Sequence, residues 1–305
     1  VSSLLIELTL NGLQLGVMLL LMAAGLTLIF GVMGFINLAH GSLYMSGAFV
    51  TAYLSRTTGS FWLGLLAGVA AAAAIGAVVE LLVVRRLYAR DHLDQVLATF
   101  ALILIFSNAA RWIFGAAPLW LDVPPLLAGA VRLPGGGGYP VYRLVIIALG
   151  IAAAAGLYLL IARTRLGMRI RAGESDREMI AALGVDIAAL YTMVFALGAA
   201  LAGLAGAVIG ALESVEVGMG EPVLILAFVV IVIGGIGSFK GALVGALLVG
   251  TVDTFGRIFL PAFFGLFLDP SAATSVGAAL ASMLIYLLMA VVLAVRPKGL
   301  FPAHG

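Results

Sequence analysis

Long apolar stretches follow one another along almost the whole chain, and they decide what it can fold into. They run roughly over Leu8–Ile36, Phe61–Val84, Val96–Ala117, Leu144–Ala162, Ala188–Leu212, Val223–Gly250 and Ala272–Val295, with a shorter one at Gly41–Leu54. A helix needs about 20 apolar residues to cross the hydrocarbon core. Backbone groups in lipid must bond to one another, so stretches of this length are read as membrane helices. The stretch Val223–Gly250 carries the cluster Gly234-Gly235-Ile236-Gly237-Ser238-Phe239-Lys240-Gly241, a break between two helices. Splitting it there gives about nine membrane segments, within a range of eight to ten. The fold class is therefore all-α and polytopic, with residues 1–305 as a single transmembrane domain.

Composition closes the alternatives. Of the 305 residues 64% are hydrophobic and 10% charged, and the mean hydropathy is +1.23. A soluble protein is about 45–50% apolar and about 25% charged, so a cytosolic enzyme and a disordered chain are excluded. The 39 glycines suit helices that approach closely in lipid. There is no cysteine, so thiolate metal sites and disulfides are excluded, and His40, His92 and His304 are too dispersed to suggest a metal cluster. The first apolar stretch is too long for a signal peptide and lacks its basic flank.

Basic residues set the expected orientation. Arg85, Arg86 and Arg90, then Arg163, Arg165, Arg169, Arg171 and Arg177, and finally Lys240, Arg296 and Lys298 fall on one side if the Val223–Gly250 stretch crosses twice. That side is the cytosol. The C-terminus is then inside and the N-terminus outside. Two connections stand out. Residues 118–142 form an external loop with Pro124-Pro125, Gly135 to Gly138, and Trp120 and Tyr139 at interfacial positions. Residues 163–187 form a charged, helical internal element.

Several residues are candidates for function, each beside a plainer reading. Asn37, His40 and Gly41 interrupt two apolar runs; polar groups at membrane depth are costly unless they line a cavity or cap a helix break. The alternative is a turn. Gly198, Ala202, Gly206 and Gly210 recur every fourth residue, as do Gly237, Gly241 and Gly245. Such stripes let backbones approach, either within the chain or at a subunit interface or gate. Asp253 and Arg257 share a helical face and can pair. Glu80, near the inner surface, can snorkel. Glu213, Glu216 and Glu221 make one outer end acidic. A phosphate-binding loop is absent: in Gly234–Gly241, Phe239 stands where a glycine is required and Gly241 where Ser or Thr is. No metalloprotease or serine-hydrolase motif is present. Nothing in these motifs suggests ATP hydrolysis by that route or covalent catalysis.

Four segments carry a family resemblance. They are Gly31-Val32-Met33-Gly34-Phe35-Ile36-Asn37-Leu38-Ala39-His40-Gly41, the loop Arg171–Gly184, Phe195 through Gly206, and Gly234 through Gly245 with Arg296-Pro297-Lys298-Gly299-Leu300-Phe301 at the end. In this order they resemble the integral membrane permease subunits of branched-chain amino acid ABC importers, the H-type partner of an H/M pair. Leu38 stands where that family has an aromatic. The resemblance implies a permease fold related to ribose-type importers, in the bacterial inner membrane. It implies a second, M-type permease, two cytosolic ATPases and a periplasmic binding protein as partners. ATP and Mg would sit on the ATPases, with no cofactor or nucleic acid on this chain. It also implies that Arg171, Asp176, Glu178 and Gly184 belong to the ATPase-coupling loop, although Met179 and Ile180 replace the two alanines of the usual coupling motif. Gly198, Gly206, Gly210, Gly234, Gly235, Gly237 and Gly241 would be packing or gating glycines. The same machinery carrying urea, amides or other amino acids, and an ion-coupled carrier acting alone, remain the rival readings.

Overall fold

A computed structural model describes residues 2–134 and 137–301. Gly135 and Gly136 of the expected external loop, and His304, lie outside the described residues. Eleven α-helices account for most of the chain. They are α1 (Ser2–Met33), α2 (His40–Thr58), α3 (Phe61–Leu82), α4 (His92–Phe114), α5 (Val141–Arg163), α6 (Arg165–Ser175), α7 (Arg177–Ala182), α8 (Ile187–Ile209), α9 (Gly220–Gly234), α10 (Phe239–Phe264) and α11 (Pro270–Val295). Seven of them, α1, α3, α4, α5, α8, α10 and α11, are long and apolar enough to cross a membrane. The helix expected between the first two long stretches and the split at Gly234–Gly241 are both present, giving α2, α9 and α10. The chain is a multi-pass membrane protein.

The helices are packed around α1 and α8. About 83% of the apolar stretch of α1 and 67% of that of α8 is buried, against 17% for α4 and α11. A helix apolar on every side is either enclosed or faces lipid. Here α1 and α8 are enclosed, and α4, α5 and α11 leave large apolar side chains such as Ile105, Leu159 and Leu287 exposed. The first helix is unbroken from Ser2 to Met33.

Two departures from an all-helical chain lie in residues 118–142. A short hairpin pairs β1 (Ala130–Arg132) with β2 (Gly138–Pro140), and Leu119 bridges to Val215. Tyr139 is not interfacial but buried, its hydroxyl donating to Asn11 Oδ1 at 3.1 Å. Arg143 donates to the same oxygen at 2.8 Å. Trp120 is exposed, as expected.

Glycines bring backbones together where a side chain could not fit. A Cβ on Gly47 would lie 2.5 Å from Gly203 Cα, and one on Gly206 would meet the Tyr44 carbonyl. Gly198 stands against Gly25 of α1, and Gly241 against Gly234. The stripe on α8 therefore packs against α1, α2 and α3 of the same chain. Gly210 closes the end of that helix against Val215. Gly237 does not continue the second stripe. It lies in the turn before α10 with φ +82°, and Ser238 caps that helix by accepting from the Gly241 N–H. Only Gly241 and Gly245 share a helix.

The C-terminal segment closes α9. Leu300 N–H donates to Ile233 O at 2.9 Å and Phe301 N–H to Gly234 O at 2.8 Å, satisfying two carbonyls that a helix end leaves unpaired. Gly235, with φ +111°, lets that strand approach.

Candidate functional site

The segment Gly34–Ala39 separates α1 from α2, and its position explains its polar residues. Gly34 takes φ +63°, a left-handed conformation that ends α1. The chain then turns back, and α2 begins at His40. A Cβ on Gly25 would lie 2.7 Å from Gly198 O and 3.0 Å from His40 Nε2. Gly198 is near the middle of α8, so α2 begins about halfway along the bundle. Asn37 and His40 are fully buried, and neither amide atom of Asn37 nor either ring nitrogen of His40 has a hydrogen-bond partner among the described residues. A buried polar group left unpaired costs about 1–3 kcal/mol. The sequence grouped Asn37, His40 and Gly41, and the structure sets them together at this break.

The other half of the break is α9. Gly41 and Gly220 meet backbone to backbone: a Cβ on Gly41 would lie 2.5 Å from Gly220 O. So α9 also starts at mid-depth, and its far end lies against the C-terminal segment. Two partial helices therefore meet inside the bundle by their N-termini. Neither first turn is capped by a side chain, Ala39 and Met219 being the N-cap residues. Leu38, Gly41, Ser42, Met45, Gly218, Gly220 and Glu221, with Ile103 of α4, line a crevice at this junction. Glu213, Glu216 and Glu221 are exposed.

The charged element at residues 163–187 folds as α6 and α7. Thr164 caps α6 by accepting from Gly167 N–H, and Asp176 caps α7 by accepting from the N–H groups of Glu178 and Met179. Asp176 is thus a helix cap, worth about 1 kcal/mol, whereas Glu178 is exposed without such a structural part. Gly184 is exposed at φ +84° with open space around it, so it serves the turn and not close packing. Ile170 and Ile180 turn inward. Arg171 donates to Ile161 O and lines, with Thr27 and Gly237, a cavity of about 90 Å³ between α1, α5, α6 and the α9–α10 turn.

One cluster was legible only as a lone residue. Glu80 does not snorkel; its side chain is fully buried and is held from three sides. Arg85 grips it through Nε to Oε1 and through a second nitrogen to Oε2, both at 3.2 Å. The hydroxyls of Tyr88 and Thr192 donate to it at 2.7 and 2.6 Å. Arg85 also reaches Thr192 Oγ1 at 2.8 Å and Ala188 O at 3.3 Å. The hydrogen bond to Glu80 holds the Arg85 guanidinium more firmly protonated. Burial, then the bond to Glu80, pushes the Tyr88 phenol far above its ordinary range. The Tyr88 ring meets Tyr191 edge-on at 5.1 Å and Phe35 at 6.3 Å. The cluster therefore fastens α3 to the first turn of α8, just after α7, and touches the break through Phe35. Spacing could not have found it, because Glu80 and Thr192 are far apart in the chain. The pair Asp253–Arg257 forms as expected, at 2.8 Å.

The family described as "Branched-chain amino acid transport system / permease component" matches residues 8–293. The high-affinity branched-chain amino acid transport system permease protein BraD of Pseudomonas aeruginosa is 32% identical over 260 residues, covering 81% of this chain and 84% of its own length. The permease proteins named LivH of Salmonella typhimurium and Escherichia coli are each 27% identical over 264 residues, covering 82% of this chain and 85% of theirs. A solved structure described as an inward-facing, metal-chelate type ABC transporter aligns with 95% of this chain and 85% of its own at 18% identity, with a TM-score of 0.48.

Proposed function

The chain belongs to the family of branched-chain amino acid transport system permeases, and on that premise we propose that it is the H-type half of an ATP-driven importer of leucine, isoleucine and valine. The match over residues 8–293 carries this reading. In it, an M-type permease completes the pore, two cytosolic ATPases bind and hydrolyse ATP with Mg, and a periplasmic protein delivers the amino acid. The chain lies in the inner membrane with its C-terminus and the arginine-rich end of the bundle in the cytosol. It binds no cofactor and catalyses no reaction; ATP binding elsewhere shifts the pore between two packings. The two buried carboxylates among the described residues, Glu80 and Asp253, are each held by an arginine. That favours drive from a partner over a proton relay in this chain.

Helices α6 and α7 are the surface on which an ATPase would push. The open space at Gly184 and the exposure of Glu178 suit a contact made by another subunit. Glu178→Arg and Gly184→Leu are expected to leave the chain inserted and assembled while lowering leucine uptake per ATP hydrolysed by tenfold or more, on the order of 1.4 kcal/mol of lost coupling. Uptake and hydrolysis measured together in proteoliposomes check this, and normal ratios in both variants would remove the assignment.

His40→Ala is expected to reduce uptake as well. The unpaired buried imidazole costs stability in this conformation, and that cost is repaid if another state of the cycle pairs or hydrates it. Wild-type rates in that variant would make the segment a turn only. The importer reading itself is tested by inactivating the ATPases: leucine uptake should stop. Uptake that persists, and collapses with the ion gradient instead, would replace it by a carrier acting alone.

A further inference from the structure

Three membrane-length helices, α1, α5 and α10, leave an open groove of about 480 Å³ between them. That lies within the usual range for ligand sites, about 300–1,000 Å³. Val17 and Leu20 of α1 are buried in it, with Ile151 and Ala155 of α5 on one side and Leu243 and Leu247 of α10 on the other. Lys240 is the one charged residue in the lining. At 1.5 Å per residue, the groove runs about 10 Å along α10 from Lys240 to Leu247. The lysine marks its arginine-rich end. The neighbouring Gly237 and Phe239 line the cavity to which Arg171 of α6 contributes. At this end the rings of Tyr158 and Phe239 stack, their centroids 6.5 Å apart, and join α5 to α10.

The charge of Lys240 is unanswered. Among the described residues it forms no ion pair. It also stands in the first turn of α10, which holds no acidic residue. A helix dipole favours an anion there and disfavours a cation. An anion at Lys240 would relieve both.

We propose that this groove is a binding site for one anionic phospholipid of the leaflet on the arginine-rich side, with an acyl chain along Ile151, Ala155, Leu243 and Leu247 and the phosphate at Lys240. The two parts of the ligand match the two parts of the site. The apolar walls take the chain, and the long lysine side chain reaches from the groove to headgroup level. A neutral lipid would use the walls and leave the cation unanswered. Another subunit seated here would have to bring its own carboxylate to Lys240, whereas an anionic leaflet already supplies the phosphate. A chain in the groove extends the joint between α5 and α10 beyond the Tyr158–Phe239 stack. The inference goes beyond the importer reading and does not depend on it.

The test is photocrosslinking in vesicles. The protein, in its native assembly, is reconstituted in phosphatidylethanolamine with a trace of phosphatidylglycerol carrying a diazirine in one acyl chain. A parallel sample carries the same chain on phosphatidylcholine. Crosslinked residues on this chain are mapped by mass spectrometry. Crosslinks should concentrate on Ile151, Ala155, Leu243 and Leu247, with phosphatidylglycerol about fivefold above phosphatidylcholine, the preference expected of a single lysine at the membrane surface. Lys240→Gln should make the two probes equal. Ala155→Trp, which fills the groove and keeps the lysine, should lower crosslinking by both, and it serves if Lys240→Gln does not assemble. Inorganic phosphate should not compete; competition would make this a site for free phosphate and overturn the lipid. Equal crosslinking by the two probes in the unmodified chain would overturn the site. So would crosslinks spread evenly over the exposed faces of α4 and α11. So would a groove without crosslinks in the assembly, which would mean that another subunit covers it. Crosslinking needs no transport, so its outcome stands whether or not leucine uptake is ATP-driven.

Discussion

A Gly206→Leu chain is expected to lose about 3 kcal/mol or more of stability, the upper part of the range for overpacking, and to be recovered from the membrane largely misfolded. The reason is geometric. A Cβ at this position runs into the carbonyl of Tyr44 rather than into the flexible end of a side chain. Relief requires α2 to move off α8, which would also part Gly47 from Gly203 and expose the enclosed surface around Phe49 and Phe195. Gly156→Leu on α5 is the control. A Cβ there meets nothing within 4 Å, so the change is expected to stay within about 0.5 kcal/mol. Monodisperse yield and the thermal midpoint in detergent check both variants. Equal behaviour would mean that the close approach of α2 to α8 does not hold the bundle together.

The second large effect is an asymmetry at Glu80. Arg85→Ala removes the cation from a carboxylate that is fully buried, and breaking such a pair costs about 3 kcal/mol. Glu80→Gln is expected to cost only about 1 kcal/mol, because the amide keeps partners in Tyr88 and Thr192 and the Arg85 side chain, 37% exposed, can turn to water. The order is the prediction: a chain more stable with Arg85→Ala than with Glu80→Gln would show that the carboxylate is not the buried, dependent partner. Because the cluster joins α3 to the first turn of α8, Arg85→Ala should also lower uptake per ATP hydrolysed, and thermal midpoints measured beside transport separate the two effects.

Much of this was readable along the chain. The apolar stretches predicted about nine membrane segments, of which the structure has seven helices long and apolar enough to cross, with α9 shorter and α2 not among them; the glycine cluster at Gly234–Gly241 correctly predicted the division into α9 and α10, because these signals are local: hydropathy over some 20 residues, and φ-permissive residues in a turn. The Asn37–His40 interruption was visible for the same reason, since polar residues between apolar runs need an explanation wherever they fall. The four-residue recurrence of Gly198, Gly206 and Gly210 announced close packing but not what packs. Gly237, which continues a recurrence on paper, belongs to a turn in fact, because a repeat in spacing has meaning only within one continuous helix.

Other features depend on where distant segments meet. Glu80 near a basic stretch reads as a surface carboxylate. It is buried only because Thr192 and Ala188, more than a hundred residues away, close over it and Arg85. Tyr139 reads as an interfacial aromatic, and it is buried because Asn11 of α1 offers its hydroxyl a partner. The meeting of Gly41 with Gly220 has no trace in the sequence. What the sequence alone determined is that this chain crosses a membrane many times, where its helices break, and which family it resembles, since lipid solvent makes helix length and backbone satisfaction local requirements. Tertiary structure alone decided that two of those helices start at mid-depth and face each other, because helix depth is set by packing against neighbours and not by the residues of the helix itself.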